Sequence, residues 1–109
     1  MISLSYLFEA LAADKVDKVE VSRNYIIQDL KDRPPEEDIE TYRRKTVIDK
    51  NGDKHLITLA ILKSGGTKAT SIWHTKKEGS ARSMLSRLKK TNPEKVHIKD
   101  DPEDDHIKG

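Results

Sequence analysis

Three cations surround the predicted start of a helix and could hold phosphate. Lys76, Lys77 and Arg82 flank Ser80, from which apolar spacing predicts a helix to about Thr91. Free backbone N–H groups and the positive end of the helix dipole favour an anion at such a position, and arginine can hold two phosphate oxygens at once. We therefore predict a phosphate-contacting group here, with a basic loop that binds no ligand as the equal alternative.

The four histidines, His55, His74, His97 and His106, offer a second kind of chemistry. Their spacing shows no set of metal ligands, so we predict that the protein binds no metal and needs no cofactor. His74, or His55 in its place, could act as the general acid or base of a metal-independent ribonuclease, with the nearby cations stabilising the developing charge. Single histidines at strand ends are more often structural, so we favour a protein without catalytic residues.

The charge of the chain is unevenly distributed. Its 109 residues include 21 basic and 19 acidic side chains, which give a net charge of +2. Residues 1–42 have a net charge of −5, residues 43–99 of +11 and residues 100–109 of −4. Such a basic block is typical of a surface that binds a polyanion. The alternative is a solvated basic surface that the acidic ends balance.

Length and composition exclude several classes of protein. The chain fits one small domain, which we place at residues 1–99, followed by a disordered acidic tail at residues 100–109. The absence of cysteine excludes a disulfide framework, a thiolate zinc site and a cysteine nucleophile. No apolar run approaches the roughly 20 residues that span a bilayer, and the first residues lack a signal-peptide pattern. We therefore expect a cytoplasmic protein without membrane contact.

The sheet that must position these residues is predicted from two turns. Residues 41–48 and 55–62 flank Asn51-Gly52, the strongest short hairpin signal. A second turn centred on Gly65-Gly66 leads to a third strand at residues 68–74. It predicts the facing pairs Ala60 and Ser71, Leu59 and Ile72, and Thr58 and Trp73. A two-residue turn centred on Asn51-Gly52 predicts the facing pairs Asp49 and Lys54, Val47 and Leu56, Lys45 and Thr58, and Arg43 and Ala60.

Alternation along the strands then divides the side chains between two faces. The core face is predicted to contain Tyr42, Ile48, Ile57, Leu59, Ile61 and Ile72. The other face would place Trp73 beside Arg43 and Lys45, so that the indole stacks on a base while the cations contact phosphate. The alternative is that Trp73 packs under a helix or in a dimer interface. In this register His55 does not lie next to His74.

Helical spacing is predicted in two further segments. Residues 4–11 predict a first helix, and residues 25–30 predict a second one that Pro34-Pro35 ends. Residues 95–99 alternate in polarity and predict an edge strand. The predicted fold class is therefore α+β: a three-stranded antiparallel meander with helices packed on one face, an extra N-terminal helix and a C-terminal edge strand.

The stretch Thr75-Lys76-Lys77-Glu78, followed by Ala81-Arg82, leads into the last predicted helix. It is similar to the Ser-Lys-Lys-Glu-Ala-Lys pattern of the double-stranded-RNA-binding domain, whose α-β-β-β-α order residues 22–91 resemble. The resemblance implies that Lys76, Lys77 and Arg82 contact phosphate and that A-form shape and 2′-hydroxyl groups are recognised more than base sequence. Residues 74–85 are also similar to the corresponding segment of HicA-like messenger-RNA interferases, which implies a ribonuclease.

These observations favour a small nucleic-acid-binding protein without catalytic activity, and they favour RNA over DNA as its ligand. Its predicted binding residues are Arg43, Lys45, Trp73, Lys76, Lys77 and Arg82. One alternative is a metal-independent ribonuclease toxin that uses His74 or His55. Another is a protein-binding regulator, such as a phage host-takeover or immunity factor. The sequence also leaves a homodimer open.

Overall fold

The computed structural model describes residues 10–99, which form a six-stranded sheet and one complete α-helix. The strands are β1 (Val16–Val21), β2 (Tyr25–Leu30), β3 (Ile39–Ile48), β4 (Lys54–Leu62), β5 (Thr67–Thr75) and β6 (Val96–Ile98), and the helix, α1, spans Gly79–Thr91. Short 3-10 helices lie at Ala13–Lys15, Glu36–Asp38 and Pro93–Lys95. The strand order is β3-β4-β5-β2-β1-β6, and all neighbours are antiparallel except β1 and β6.

The fold is α+β, but the predicted three-stranded meander with helices packed on one face is wrong, because the sheet has six strands. The segment predicted as the second helix is β2, which pairs with β1 on one side and β5 on the other. Ile26, Ile27 and Gln28 are buried in succession along it. A strand that is buried on both faces loses the polar alternation that distinguishes a strand from a helix.

Ser22, which precedes β2, makes two hydrogen bonds to Tyr25. Its N–H donates to the Tyr25 carbonyl at 2.9 Å, and its hydroxyl oxygen accepts from the Tyr25 N–H at 3.1 Å. Ser22 thus closes the turn between β1 and β2. A serine hydroxyl can accept from a nearby unpaired backbone N–H at a turn as well as at the start of a helix.

Two other predictions on the C-terminal side are confirmed. The predicted edge strand is β6, at the opposite edge of the sheet from β3. The last predicted helix is α1, which begins at Gly79. The predicted first helix falls mainly on residues 1–9 and the predicted acidic tail on residues 100–109, outside the described residues. Within residues 10–99, no helix is both long and apolar enough to cross a membrane.

The hairpin between β3 and β4 differs from the predicted register by one residue. The Asp49 N–H donates to the Asp53 carbonyl at 2.9 Å, so three residues, and not two, form the loop. Gly52 has a φ of 83°, whereas Asn51 does not adopt a positive φ. This is the pattern of a three-residue hairpin loop with a glycine at its left-handed position. Because side chains alternate, the one-residue difference moves every β3 side chain to the other face.

Gly52→Ala is expected to lower the free energy of unfolding by about 1 kcal/mol, because an L-residue is strained at a φ of 83°. A Cβ atom at Gly52 would contact nothing within 4 Å, so the effect isolates the backbone. Gly79→Ala is the matched control, since its Cβ also meets nothing and alanine favours the helix it would begin. Urea denaturation of both variants measures the difference, and equal effects would contradict the strain at Gly52.

The hydrophobic core lies between α1 and one face of the sheet, which we call the core face. Ala81, Met84 and Leu88 form the buried stripe of α1 and belong to one cluster with Ile57 of β4 and Ile72 of β5. The sequence predicted this stripe from the spacing of four residues, the three above and Leu85, which is half-buried against the core. The core face also positions a group of buried polar side chains.

Candidate functional site

Five polar residues meet on the core face, where β4 and β5 approach the start of α1. We call this group the histidine cluster, and all of its members are buried: Gln28, Asp49, His55, His74 and Glu78. His55 of β4 lies directly opposite His74 of β5, and Ile26 of β2 lies opposite His74 on its other side. Glu78 is the residue immediately before α1.

Asp49 connects the cluster to the β3–β4 turn. One carboxylate oxygen accepts from the N–H groups of Asn51 and Asp53, at 2.8 and 3.0 Å. The other lies 2.8 Å from Nε2 of His55 and accepts from the Ser80 hydroxyl at 3.4 Å. Burial raises the pKa of this carboxyl, but the hydrogen bonds from His55 and the two backbone N–H groups outweigh it and hold the pKa below its ordinary value. Asp49 is therefore an ionised acceptor.

Gln28 orients the second histidine. Its side-chain nitrogen donates to the carbonyl of Ala10, so its side-chain oxygen is the atom that faces Nε2 of His74, at 3.3 Å. This arrangement assigns the ring proton of His74 to Nε2. Burial lowers the pKa of the His74 imidazole, and the opposing effect of Glu78 does not offset it. His74 is therefore neutral, with its Nδ1 lone pair free to accept.

The Nδ1 atoms of both histidines and one oxygen of Glu78 converge on a single point. The two Nδ1 atoms are 2.7 Å apart, and Oε2 of Glu78 lies 3.1 Å from Nδ1 of His55 and 3.6 Å from Nδ1 of His74. That oxygen is buried and accepts no hydrogen bond among the described residues. The three side chains are a possible ligand set for a metal ion.

Sequence reasoning missed this cluster because the register of β4 on β5 was predicted two residues away. The turn between them is closed by the Leu62 N–H on the Gly66 carbonyl, and not centred on the glycine pair, and a bulge follows between Thr58 and Leu59. Together the turn and the bulge place His55 beside His74, contrary to the prediction. One signal in the sequence was the four-residue spacing of His74 and Glu78, which is a spacing of metal ligands on a helix. Here His74 lies in a strand and Glu78 directly precedes a helix.

The cations predicted to bind phosphate are exposed but lie in two separate places. Arg43 and Lys45 lie on the edge strand β3. Lys76 and Lys77 lie in the loop between β5 and α1, where the Lys76 N–H donates to the Asn24 carbonyl at 3.0 Å. Arg82 is exposed on the first turn of α1. The fold thus presents a cationic edge and a cationic loop.

Trp73 does not share a face with Arg43 and Lys45, so that prediction is wrong. Arg43 and Lys45 pair with Leu59 and Ile57 on the core face. Trp73 points to the opposite face, is only 6% exposed, and packs against the guanidinium of Arg44 at 4.6 Å from the ring centroid. This contact is a cation–π interaction. It favours the interpretation that Trp73 packs within the protein over the one in which it stacks on a base.

The fold and the site together define a small α+β protein with a cationic edge strand and a buried histidine cluster. No family model, curated protein or solved structure matches the chain. The resemblances to the double-stranded-RNA-binding domain and to the HicA-like interferases therefore stay predictions. Both resemblances depend on an α-β-β-β-α order. In this structure the segment that should form the first helix of that order is the strand β2.

Proposed function

We propose that this protein binds nucleic acid, with RNA favoured over DNA, through the exposed cations of β3 and of the β5–α1 loop. One observation carries the proposal. Residues 43–99 contain 15 basic and four acidic side chains, and two of those four, Asp49 and Glu78, are buried in the histidine cluster. Neither carboxylate lies at the surface, so the exposed side chains of this block are more strongly cationic than its net charge suggests.

The edge strand β3 supports the proposal. Arg43, Arg44 and Lys45 are consecutive and exposed, and their β4 partners Leu59, Thr58 and Ile57 are uncharged. Because side chains alternate along a strand, the three cations point to both faces of the same edge. Cations on an edge strand also discourage pairing with another sheet, so only a binding measurement separates the two roles.

The metal-independent ribonuclease is the second candidate, because the structure brings His55 and His74 together. His55 and His74 are each about 1% exposed to solvent. A general acid or base must come within hydrogen-bond distance of the substrate atom, and a phosphodiester does not reach a ring that the core covers. The burial favours binding over cleavage.

Duplex binding is expected to weaken steeply with salt, because each neutralised phosphate releases counterions. Fluorescence anisotropy with labelled duplex RNA, single-stranded RNA and duplex DNA, at low and moderate salt, measures it. In Arg43→Gln/Lys45→Gln, two lost phosphate contacts should reduce the slope of log K against log salt by about 2 and weaken binding most at low salt. An affinity that does not change with salt would contradict the proposal.

Lys89→Gln/Lys90→Gln is the matched control. It removes the same charge from exposed positions in the last turn of α1, and α1 contacts β6 at the other edge of the sheet from β3. Its salt slope should stay that of the wild type. RNA cleaved in EDTA, with the cleavage lost in His74→Ala, would instead establish the ribonuclease. No binding to any nucleic acid would favour the protein-binding regulator.

A further inference from the structure

We propose that the histidine cluster binds one divalent transition-metal ion of the zinc class, with Nδ1 of His55, Nδ1 of His74 and Oε2 of Glu78 as its protein ligands. This site is separate from the cationic surface and does not depend on nucleic-acid binding. It also departs from the sequence analysis, which predicted no metal.

The first argument is that three possible ligand atoms converge at one buried point. Nε2 of His55 faces Asp49, and Nε2 of His74 faces Gln28. The Nδ1 atoms of the two rings therefore face each other, and they are 2.7 Å apart. The carboxylate oxygen of Glu78 adds a third atom, which is buried and without a hydrogen bond. A cation at this point would satisfy all three atoms.

The second argument is the size of the triangle that the three atoms form. Its sides are 2.7, 3.1 and 3.6 Å, so the point equidistant from its corners lies about 1.9 Å from each atom. Zinc bonds to imidazole nitrogen and carboxylate oxygen are about 2.0–2.2 Å long. An ion slightly above the plane of the triangle satisfies these lengths, and this is the position of the metal in a tetrahedral site. The fourth position belongs to water or another small ligand.

The third argument is the support behind each ligand. A metal-binding histidine usually donates its other ring N–H to a carboxylate or carbonyl oxygen, which fixes the tautomer and the ring orientation. Asp49 provides this support for His55, and Gln28 provides it for His74. Two imidazoles and one carboxylate suit zinc and its neighbours better than magnesium or calcium, which prefer all-oxygen sites.

The ligands come from β4, from β5 and from the residue that precedes α1. A bound ion would therefore hold the start of α1 against the sheet. All three ligand residues are less than 5% exposed, so a macromolecular substrate cannot reach the ion. The chemistry that follows is structural cross-linking, and not catalysis on a polymer.

Titration of chelator-treated protein with Co²⁺, followed by displacement with Zn²⁺, tests the proposal. We expect one Co²⁺ per chain with the visible absorption of a tetrahedral ion, and a rise in Tm of about 10–20 °C at a Zn²⁺ concentration 100 times Kd. If neither metal binds at one ion per chain, the two Nδ1 atoms share a proton in place of a metal, and the proposal is overturned.

Glu78→Gln is the test variant, since it keeps the shape of the side chain and removes the anionic ligand. We expect its metal affinity to fall by at least about 100-fold, as loss of a supporting group alone costs 10- to 100-fold. His97→Gln is the matched control, because His97 is exposed on β6, and its metal binding should stay that of the wild type. Metal binding that survives in Glu78→Gln, or that is lost in His97→Gln, would overturn the assignment of the ligands.

Discussion

Asp49→Ala is expected to lower the free energy of unfolding by about 3–5 kcal/mol. The carboxylate accepts from the N–H groups of Asn51 and Asp53 and from Nε2 of His55. Alanine leaves these donors without an acceptor in a place that water does not reach. It also releases the turn that sets the register of β3 on β4. Urea denaturation followed by circular dichroism measures the change.

Asp53→Ala is the control for this prediction. Asp53 belongs to the same turn and is half-buried, but among the described residues its side chain makes no hydrogen bond comparable to those of Asp49. Its free energy of unfolding should change by no more than about 0.5 kcal/mol. Asp49→Asn keeps one acceptor oxygen and should fall between the two. Equal losses in Asp49→Ala and Asp53→Ala would show that the turn, and not the buried carboxylate, determines the effect.

Glu78→Gln, unlike Asp49→Ala, is expected to raise the free energy of unfolding of the metal-free protein, by about 1–3 kcal/mol. The physical reason is that Oε2 of Glu78 is a buried acceptor without a hydrogen bond, and such a group costs about 1–3 kcal/mol. Glutamine replaces one acceptor with an amide N–H, which can donate to Nδ1 of His55, 3.1 Å from that oxygen. Denaturation in the presence of a chelator measures the change.

Glu94→Gln is the control, since Glu94 is an exposed acid in the 3-10 helix before β6. Removing its charge should leave the free energy of unfolding almost unchanged. The combined result for Glu78→Gln is diagnostic: the variant should be more stable than the wild type without metal and should gain nothing when zinc is added. A lower stability in chelator would show that Glu78 already has a donor in the metal-free state.

Local patterns predicted a substantial part of the fold. Strands β3, β4 and β5 were predicted from β-prone runs on either side of glycine turns, and β6 from its alternation. The apolar stripe of α1 also followed from spacing alone. The segment that became β2 was predicted as a helix, because Ile26 and Ile27 are both buried and consecutive apolar residues do not distinguish a helix from a central strand.

The candidate site was not predictable in the same way. His55 and His74 are 19 residues apart, and nothing local specifies that they face each other. Their pairing depends on the bulge between Thr58 and Leu59 and on the turn between β4 and β5, where the Leu62 N–H donates to the Gly66 carbonyl. Asp49 reaches His55 from the three-residue loop that contains Gly52, and a two-residue turn at Asn51-Gly52 would have been equally consistent with the sequence.

The sequence by itself determined the concentration of positive charge in residues 43–99, the absence of thiol chemistry and the positions of most strands. These properties depend on composition and on short-range preferences, which each segment carries wherever it packs. Only the tertiary structure decided which charges lie on the surface and which are buried. It turned Asp49 and Glu78 inward and brought two distant histidines into contact, because a change of one or two residues in strand register decides which side chains share a face and which of them meet.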